Sequence, residues 1–185
     1  MKKYLVIGNP IEHSLSPKLH NLWLKENNIN AIYEKKKLSE NDIKGIIEEV
    51  KKEKINGVNV TVPFKKSVIP FLDQLSPLAR ESQSVNTIFK KDNQIIGDNT
   101  DIFGFEQSLN HINYSVKNKK IFILGAGGVA PSIILALKRL GVSKITLSNR
   151  TKEKADNLRN IYSNLEIINW GQNTDFDVII NTTSL

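Results

Sequence analysis

Valines alternate with polar residues through Val58-Asn59-Val60-Thr61-Val62, a period-two pattern. It predicts a strand with Val58, Val60 and Val62 in a core and Asn59 and Thr61 sharing the opposite face. Pro63 has no N–H to extend a central ladder, so the strand stops there, and proline is suited to open a helix from Phe64. Upstream, the apolar run 4–7 predicts a buried strand closed by the turn Gly8-Asn9-Pro10. Ser16-Pro17 is a helix-start signal, with Ser16 as the cap and Leu19, Leu22 and Trp23 as the apolar face. Residues 31–35 predict a second strand. Ser39 then caps a helix over 40–53, with Ile43, Ile46, Ile47 and Val50 at helical spacing. Ser76-Pro77 opens a short helix reaching Ser82, and 85–89 and 94–97 predict a hairpin around 90–93. Thr100 caps a further helix from Asp101.

The second half repeats the alternation. Strand 120–124 runs into Gly125-Ala126-Gly127-Gly128-Val129, followed by a helix over 129–140, Gly141 as its stop, and a strand at 144–148. Strands alternating with helices predict an α/β fold, and the polar, basic stretch beginning at 113 marks a boundary between domains 1–112 and 113–185. Residues 178–180 predict a last buried strand. A doubly wound half-domain that stops on such a strand lacks its covering helix and later strands, so the second domain is expected to be truncated.

Composition narrows the chemistry. The 185 residues are 39% hydrophobic and 24% charged, and no apolar run approaches the roughly 20 residues that span a bilayer. A cytoplasmic protein, active as a monomer or homodimer with no membrane partner, is expected. With no cysteine and three scattered histidines, His13, His20 and His111, no metal site is expected. The net charge of +7 comes mostly from dispersed lysines without interleaved aromatics, which speaks against a nucleic-acid partner and for attraction of small anions.

Three places combine such pattern with chemistry. Ser14 and Ser16 flank a helix N-terminus, where amides and the dipole favour a carboxylate. Lys65 lies just past a strand end, where open α/β sheets carry ligand-binding groups. The strand, glycine turn, helix, strand order around Gly125–Val129 suits a dinucleotide pyrophosphate. At the end of the following strand, Arg150 stands where an acid would select NAD; guanidinium pairs bidentately with the 2′-phosphate of NADP.

Together Ser14-Leu15-Ser16-Pro17, Asn59 to Lys65, Val85-Asn86-Thr87, Gly97 to Gly104, Gly125 to Val129 and Asn149-Arg150-Thr151 resemble the shikimate dehydrogenase family in order and spacing, across nearly the whole chain. The resemblance implies an N-terminal α/β substrate domain followed by a partial Rossmann-type NADP-binding domain, with the active site in the cleft between them. It implies reversible reduction of 3-dehydroshikimate to shikimate, towards chorismate and the aromatic amino acids. Lys65 and Asp101 would be catalytic. Ser14 and Ser16 would hold the substrate carboxylate, and Asn59, Thr61 and Asn86 would belong to the substrate pocket. Gly125, Ala126, Gly127, Gly128, Val129, Asn149, Arg150, Thr151, Lys154 and Thr183 would bind NADP. Lysine is protonated at neutral pH, which suits proton donation in the reductive direction. Two features depart from the family. Members run on past Leu185, with a tyrosine and a glutamine of the substrate pocket and a C-terminal helical segment, and Pro131 and Lys154 stand where many members have other residues. An NAD-using quinate/shikimate dehydrogenase and a substrate-binding remnant without turnover are the alternatives.

Overall fold

Strands rich in valine and isoleucine, and one helix with a clean apolar stripe, build the first half of the chain. The computed structural model describes residues 1–183, divided into two units, Met1–Thr100 and the remainder from Asp101. In the first, strands β1 (Lys2–Gly8), β2 (Ala31–Lys37), β3 (Gly57–Val60), β4 (Gln74–Leu75), β5 (Thr87–Lys91) and β6 (Gln94–Asp98) form one sheet in the order β2-β1-β3-β5-β6-β4. β1 runs parallel to β2 and β3, and β5 is antiparallel to both β3 and β6. Along β1, Leu5 and Ile7 enter one core cluster while Val6 enters another on the opposite face, so this strand is covered on both sides.

Helix α2 (Ile43–Lys51) buries all four residues of its predicted stripe, each contributing roughly 1.5–3 kcal/mol by leaving water. Its approach is a 3₁₀ turn, Glu40–Asp42, in which the Asp42 carboxylate accepts from the Ser39 N–H at 2.8 Å and its hydroxyl at 2.6 Å. Helix α3 (Pro77–Ser82) starts as expected, Ser76 Oγ accepting from the Ala79 N–H at 3.2 Å. The hairpin is tighter than anticipated: only Asp92 and Asn93 lie outside the strands, both at positive φ (49° and 65°), the geometry of a two-residue type I′ turn.

Three expectations need correction here. β3 ends at Val60, and Val62 is 52% exposed rather than buried. The chain leaves the ladder once Thr61 N–H has bonded the Ile7 carbonyl at 2.9 Å, and the Val62 carbonyl is taken by Asn9 N–H at 3.0 Å. Past Pro63 there is a run of turns and a 3₁₀ segment, Ile69–Phe71, instead of a helix. Helix α1 (Ser16–Glu26) has no fully buried residue; Leu19, Leu22 and Trp23 are about half exposed. α1 lies along β2 and sends Leu24 into the small cluster of Val6, Ile11 and Tyr33.

The second unit holds helix α4 (Asp101–His111), a parallel sheet of β7 (Lys120–Leu124), β8 (Lys144–Ser148), β9 (Leu165–Ile168) and β10 (Val178–Asn181) in the order β10-β7-β8-β9, and helices α5 (Ala130–Arg139) and α6 (Lys152–Ile161). α5 is buried over most of its length and packs with α4. The strand expected at 178–180 forms as β10, paired with β7, and Ile179 is 50% exposed, in keeping with the expectation that this strand lacks its covering helix. β9 has no counterpart in the sequence pattern. Its Glu166 is held by Thr146 Oγ1 at 2.7 Å and Lys144 at 2.8 Å, which places an acid on a strand next to a core. Among the described residues no helix is long and apolar enough to cross a membrane.

Candidate functional site

Strand direction brings the candidate substrate residues to one end of the first sheet. β1 and β3 are parallel, and antiparallel pairing of β3 with β5 and of β5 with β6 sets the start of β5 and the end of β6 beside the ends of β1 and β3. That end carries the Ser14 loop after β1, Thr61 and Lys65 after β3, Asn86 before β5 and Thr100 after β6. Backbone bonds tie these loops together: Val60 N–H to the Asn86 carbonyl (2.8 Å), Asn86 N–H to the Asp98 carbonyl (3.0 Å) and Val85 N–H to the Lys65 carbonyl (2.8 Å).

At the start of α1 the roles of the two serines differ from expectation. Ser16 is the first helical residue, and it is Ser14 whose Oγ accepts a helix N–H, that of Ser16, at 3.3 Å. The N-cap residue is Leu15, which has no side-chain cap, so Ser14 makes a local turn one residue before it, and Ser14 and Ser16 flank the helix N-terminus. Lys65 is only 9% exposed, an unusual degree of burial for a lysine. The Asn86 amide is held against Thr100: its Oδ1 accepts the Thr100 N–H at 2.9 Å and its Nδ2 donates to Thr100 Oγ1 at 2.9 Å. Asn59 uses its amide inside the protein, on Tyr33, Thr87 and the Asn86 carbonyl. Asp101 is the first residue of α4, directly after Thr100.

Glu12 braces the corner leading to Ser14. Its carboxylate accepts the Ile11 N–H at 3.0 Å and pairs with Lys37 at 3.2 Å, and its carbonyl accepts from the Lys35 ammonium. Its own N–H and that of Ile11, with Lys37 beside them, lower the Glu12 pKa from the ordinary 4.5 to about 2. Because the folded value lies below the unfolded one, this brace is at full strength above pH 4.5 and is lost as the pH falls through about 2. We expect the Ile11 amide resonance to titrate with a midpoint near 2; a midpoint at 4.5 would mean that the brace is not formed in solution.

In the second unit, the turn after β7 is set by backbone geometry. Gly125 has φ +104° and donates its N–H to the Ser148 carbonyl at 2.8 Å, tying the turn to the end of β8. A Cβ on Gly125 would lie 2.9 Å from Thr182 Oγ1 and 3.0 Å from the Thr183 nitrogen. Asn149 joins the same two loops: its Oδ1 accepts the Ala126 N–H at 2.9 Å and its Nδ2 donates to the Thr151 carbonyl at 2.7 Å. Thr182, which the sequence pattern does not single out, fastens the turn from the other side, its hydroxyl 3.0 Å from the Leu124 carbonyl and 2.8 Å from that of Gly125. Gly127, Gly128 and Val129 lead into α5, whose starting residue Val129 has no polar side chain to cap it. Arg150, Lys152 and Lys154 are exposed at the end of β8 and the start of α6. A glycine-lined helix mouth next to a cationic strand end fits a dinucleotide bearing an extra phosphate. Among the described residues no group of histidine, aspartate and glutamate is arranged to hold a metal ion.

Residues 6–88 match the family described as the shikimate dehydrogenase substrate binding domain, and residues 107–184 the family described as shikimate / quinate 5-dehydrogenase. The chain is 60% identical over 184 residues to the NADP(+) shikimate dehydrogenase of Pelagibacter ubique, covering 100% of this chain and 69% of that protein. Among solved structures it is similar to shikimate dehydrogenase 1 from Peptoclostridium difficile, with a TM-score of 0.91 and 32% identity over 100% of this chain and 68% of that one. It is also similar to the shikimate 5-dehydrogenase of Thermus thermophilus in complex with NADP(H) and shikimate, with a TM-score of 0.87 and 30% identity, covering 99% of this chain and 69% of that one.

Proposed function

This chain belongs to the shikimate dehydrogenase family, and from that premise we propose that it reduces 3-dehydroshikimate reversibly to shikimate, using NADPH. The observation that carries the reading is Lys65, a largely buried ammonium donor at the same sheet end as Ser14, Thr61 and Asn86. Ser14 and Ser16 receive the substrate carboxylate at the mouth of α1, where helix N–H groups and the dipole offset its charge. Thr61 and Asn86 engage the ring hydroxyls. When bound, NADPH supplies the hydride that adds to the substrate's carbonyl carbon. Lys65 gives a proton to the carbonyl oxygen as the C=O π bond opens, and regains one from solvent afterwards. Asp101 takes the second catalytic role, as the family pattern assigns it.

The turn of Gly125, Ala126, Gly127, Gly128 and Val129 would receive the pyrophosphate. Asn149, Arg150, Thr151 and Lys154 would receive the adenosine end, with Thr183 beside the glycine turn. Residues 113–185 then serve as the NADP-binding domain and residues 1–112 as the substrate domain. The test is loss of NADPH absorbance on addition of 3-dehydroshikimate, read beside shikimate binding by calorimetry. Turnover supports the reading. Saturable shikimate binding without turnover would reduce it to a binding protein, and the absence of both would overturn it.

Arg150 decides between phosphorylated and unphosphorylated cofactor. An Arg150→Ala variant is expected to lose roughly tenfold to a hundredfold in kcat/KM with NADPH, the weight of a charge-assisted hydrogen-bond pair, and little with NADH. Equal losses with both cofactors would assign the residue to structure instead of to the 2′-phosphate.

A further inference from the structure

A one-way chain of hydrogen bonds crosses the substrate unit from α1 towards Asn86. Its polarity can be worked out from the backbone. The Asn86 carbonyl is an acceptor only, and the Asn59 amide lies 3.3 Å from it, so Nδ2 must face it and Oδ1 must face away. Oδ1 meets the Tyr33 hydroxyl at 2.7 Å, which makes tyrosine the donor. Asn59 Nδ2 also donates to Thr87 Oγ1 at 3.2 Å, leaving the single threonine proton for Asn86 Oδ1 at 3.0 Å. The Thr100 N–H, which can only donate, also meets Oδ1 at 2.9 Å, and the Asn86 Nδ2 donates to Thr100 Oγ1 at 2.9 Å, so both ends of this amide lie against Thr100.

Tyr33 is itself held firmly. Its ring stacks on His20 with centroids 4.1 Å apart and planes 5° from parallel. Asn21 brackets its backbone, accepting the Tyr33 N–H at 2.9 Å and donating to its carbonyl at 2.8 Å. Both neighbours belong to α1, the helix whose mouth carries Ser14 and Ser16. Burial pushes the Tyr33 pKa up to about 12, so its hydroxyl remains a neutral donor through the physiological range.

We infer that Tyr33 is a positioning residue of the substrate site, backing through Asn59 and Thr87 the orientation that the Thr100 N–H gives the Asn86 amide, so that this amide keeps one orientation when a ligand hydroxyl meets it. The inference rests on the shikimate reading of this site. It assigns Asn59 to the same supporting role, because both ends of its amide are used within the protein.

Tyr33→Phe removes one oxygen and keeps the ring that stacks on His20; Thr87→Val removes the hydroxyl at nearly constant shape. Each is expected to weaken shikimate binding, read by calorimetry, by about tenfold. Because both break one chain, the double variant should bind no more weakly than the worse single variant, where independent sites would multiply to about a hundredfold. In the unliganded protein, the Asn86 side-chain N–H resonances should shift in Tyr33→Phe, a change that loosened packing elsewhere would not produce. Unchanged Asn86 resonances, wild-type affinity in Tyr33→Phe, or multiplying losses would overturn the inference. If the wild-type chain failed to bind shikimate, the reading of the site would fall, while the Asn86 resonances would still decide whether the relay exists.

Discussion

Lys65→Ala is expected to reduce the rate of NADPH-dependent 3-dehydroshikimate reduction by about 10³-fold, within the range lost when a positioned proton donor is removed. Alanine leaves the carbonyl oxygen without a donor at the moment it gains charge, so the loss should fall on kcat, with KM changed much less. The backbone at this position should stay in place, since the bond from Val85 N–H to the residue 65 carbonyl does not involve the side chain. Lys65→Arg should recover little, because a guanidinium keeps charge but is a far weaker acid and a different shape. Steady-state kinetics of the three proteins, with shikimate affinity measured separately, check this. A residual rate within tenfold of wild type, on the same scale, would remove Lys65 from the proton-donor role.

Gly125→Ala carries the second large effect, because it strikes the turn and the cofactor cradle together. A φ of +104° is one that side-chain-bearing residues rarely adopt, and holding it costs about 1–3 kcal/mol. The new methyl would also press on the Thr183 nitrogen at 3.0 Å and on Thr182 Oγ1 at 2.9 Å. Neither can yield cheaply, since one is backbone and the other is bonded to the Leu124 and Gly125 carbonyls. A lower unfolding temperature and at least about tenfold weaker NADP binding are expected, measured by calorimetry. Gly45→Ala is the control: an added Cβ there meets nothing within 4 Å, and its exposed position within α2 should make alanine neutral or stabilising. Equal behaviour of the two variants would show that the Gly125 conformation is not what the cradle requires.

Much of this architecture was legible residue by residue. α2 follows from four isoleucine and valine residues on one helical stripe, and the start of α3 from Ser76 before Pro77, because periodicity and capping act within a few residues. The glycine turn between β7 and α5 was legible for the same reason. The motifs around Ser14, Asn59, Asn86, Gly125 and Arg150 point to the family without any tertiary contact. Where local signals misled, the deciding partner was distant in sequence. Val62 continues a perfect alternation, yet the chain leaves the ladder after Thr61, at the end of β1. Leu19, Leu22 and Trp23 make an apolar face, but amphipathic spacing does not say how much of that face a neighbour covers.

By itself, then, the sequence determined the α/β alternation, the helix starts, the glycine turn and the residue types able to hold a carboxylate, a proton and a phosphate. Those depend on contacts within one or two turns of chain, where spacing is geometry. Only the tertiary structure decided that Val62 leaves the ladder, and that Asn149 and Thr182 clamp the Gly125 turn from opposite sides. It also set the direction of the Tyr33-to-Asn86 chain. A hydrogen bond's partner and polarity are properties of a juxtaposition across tens of residues, and no pattern in a single stretch encodes which amide end will meet an acceptor that cannot donate.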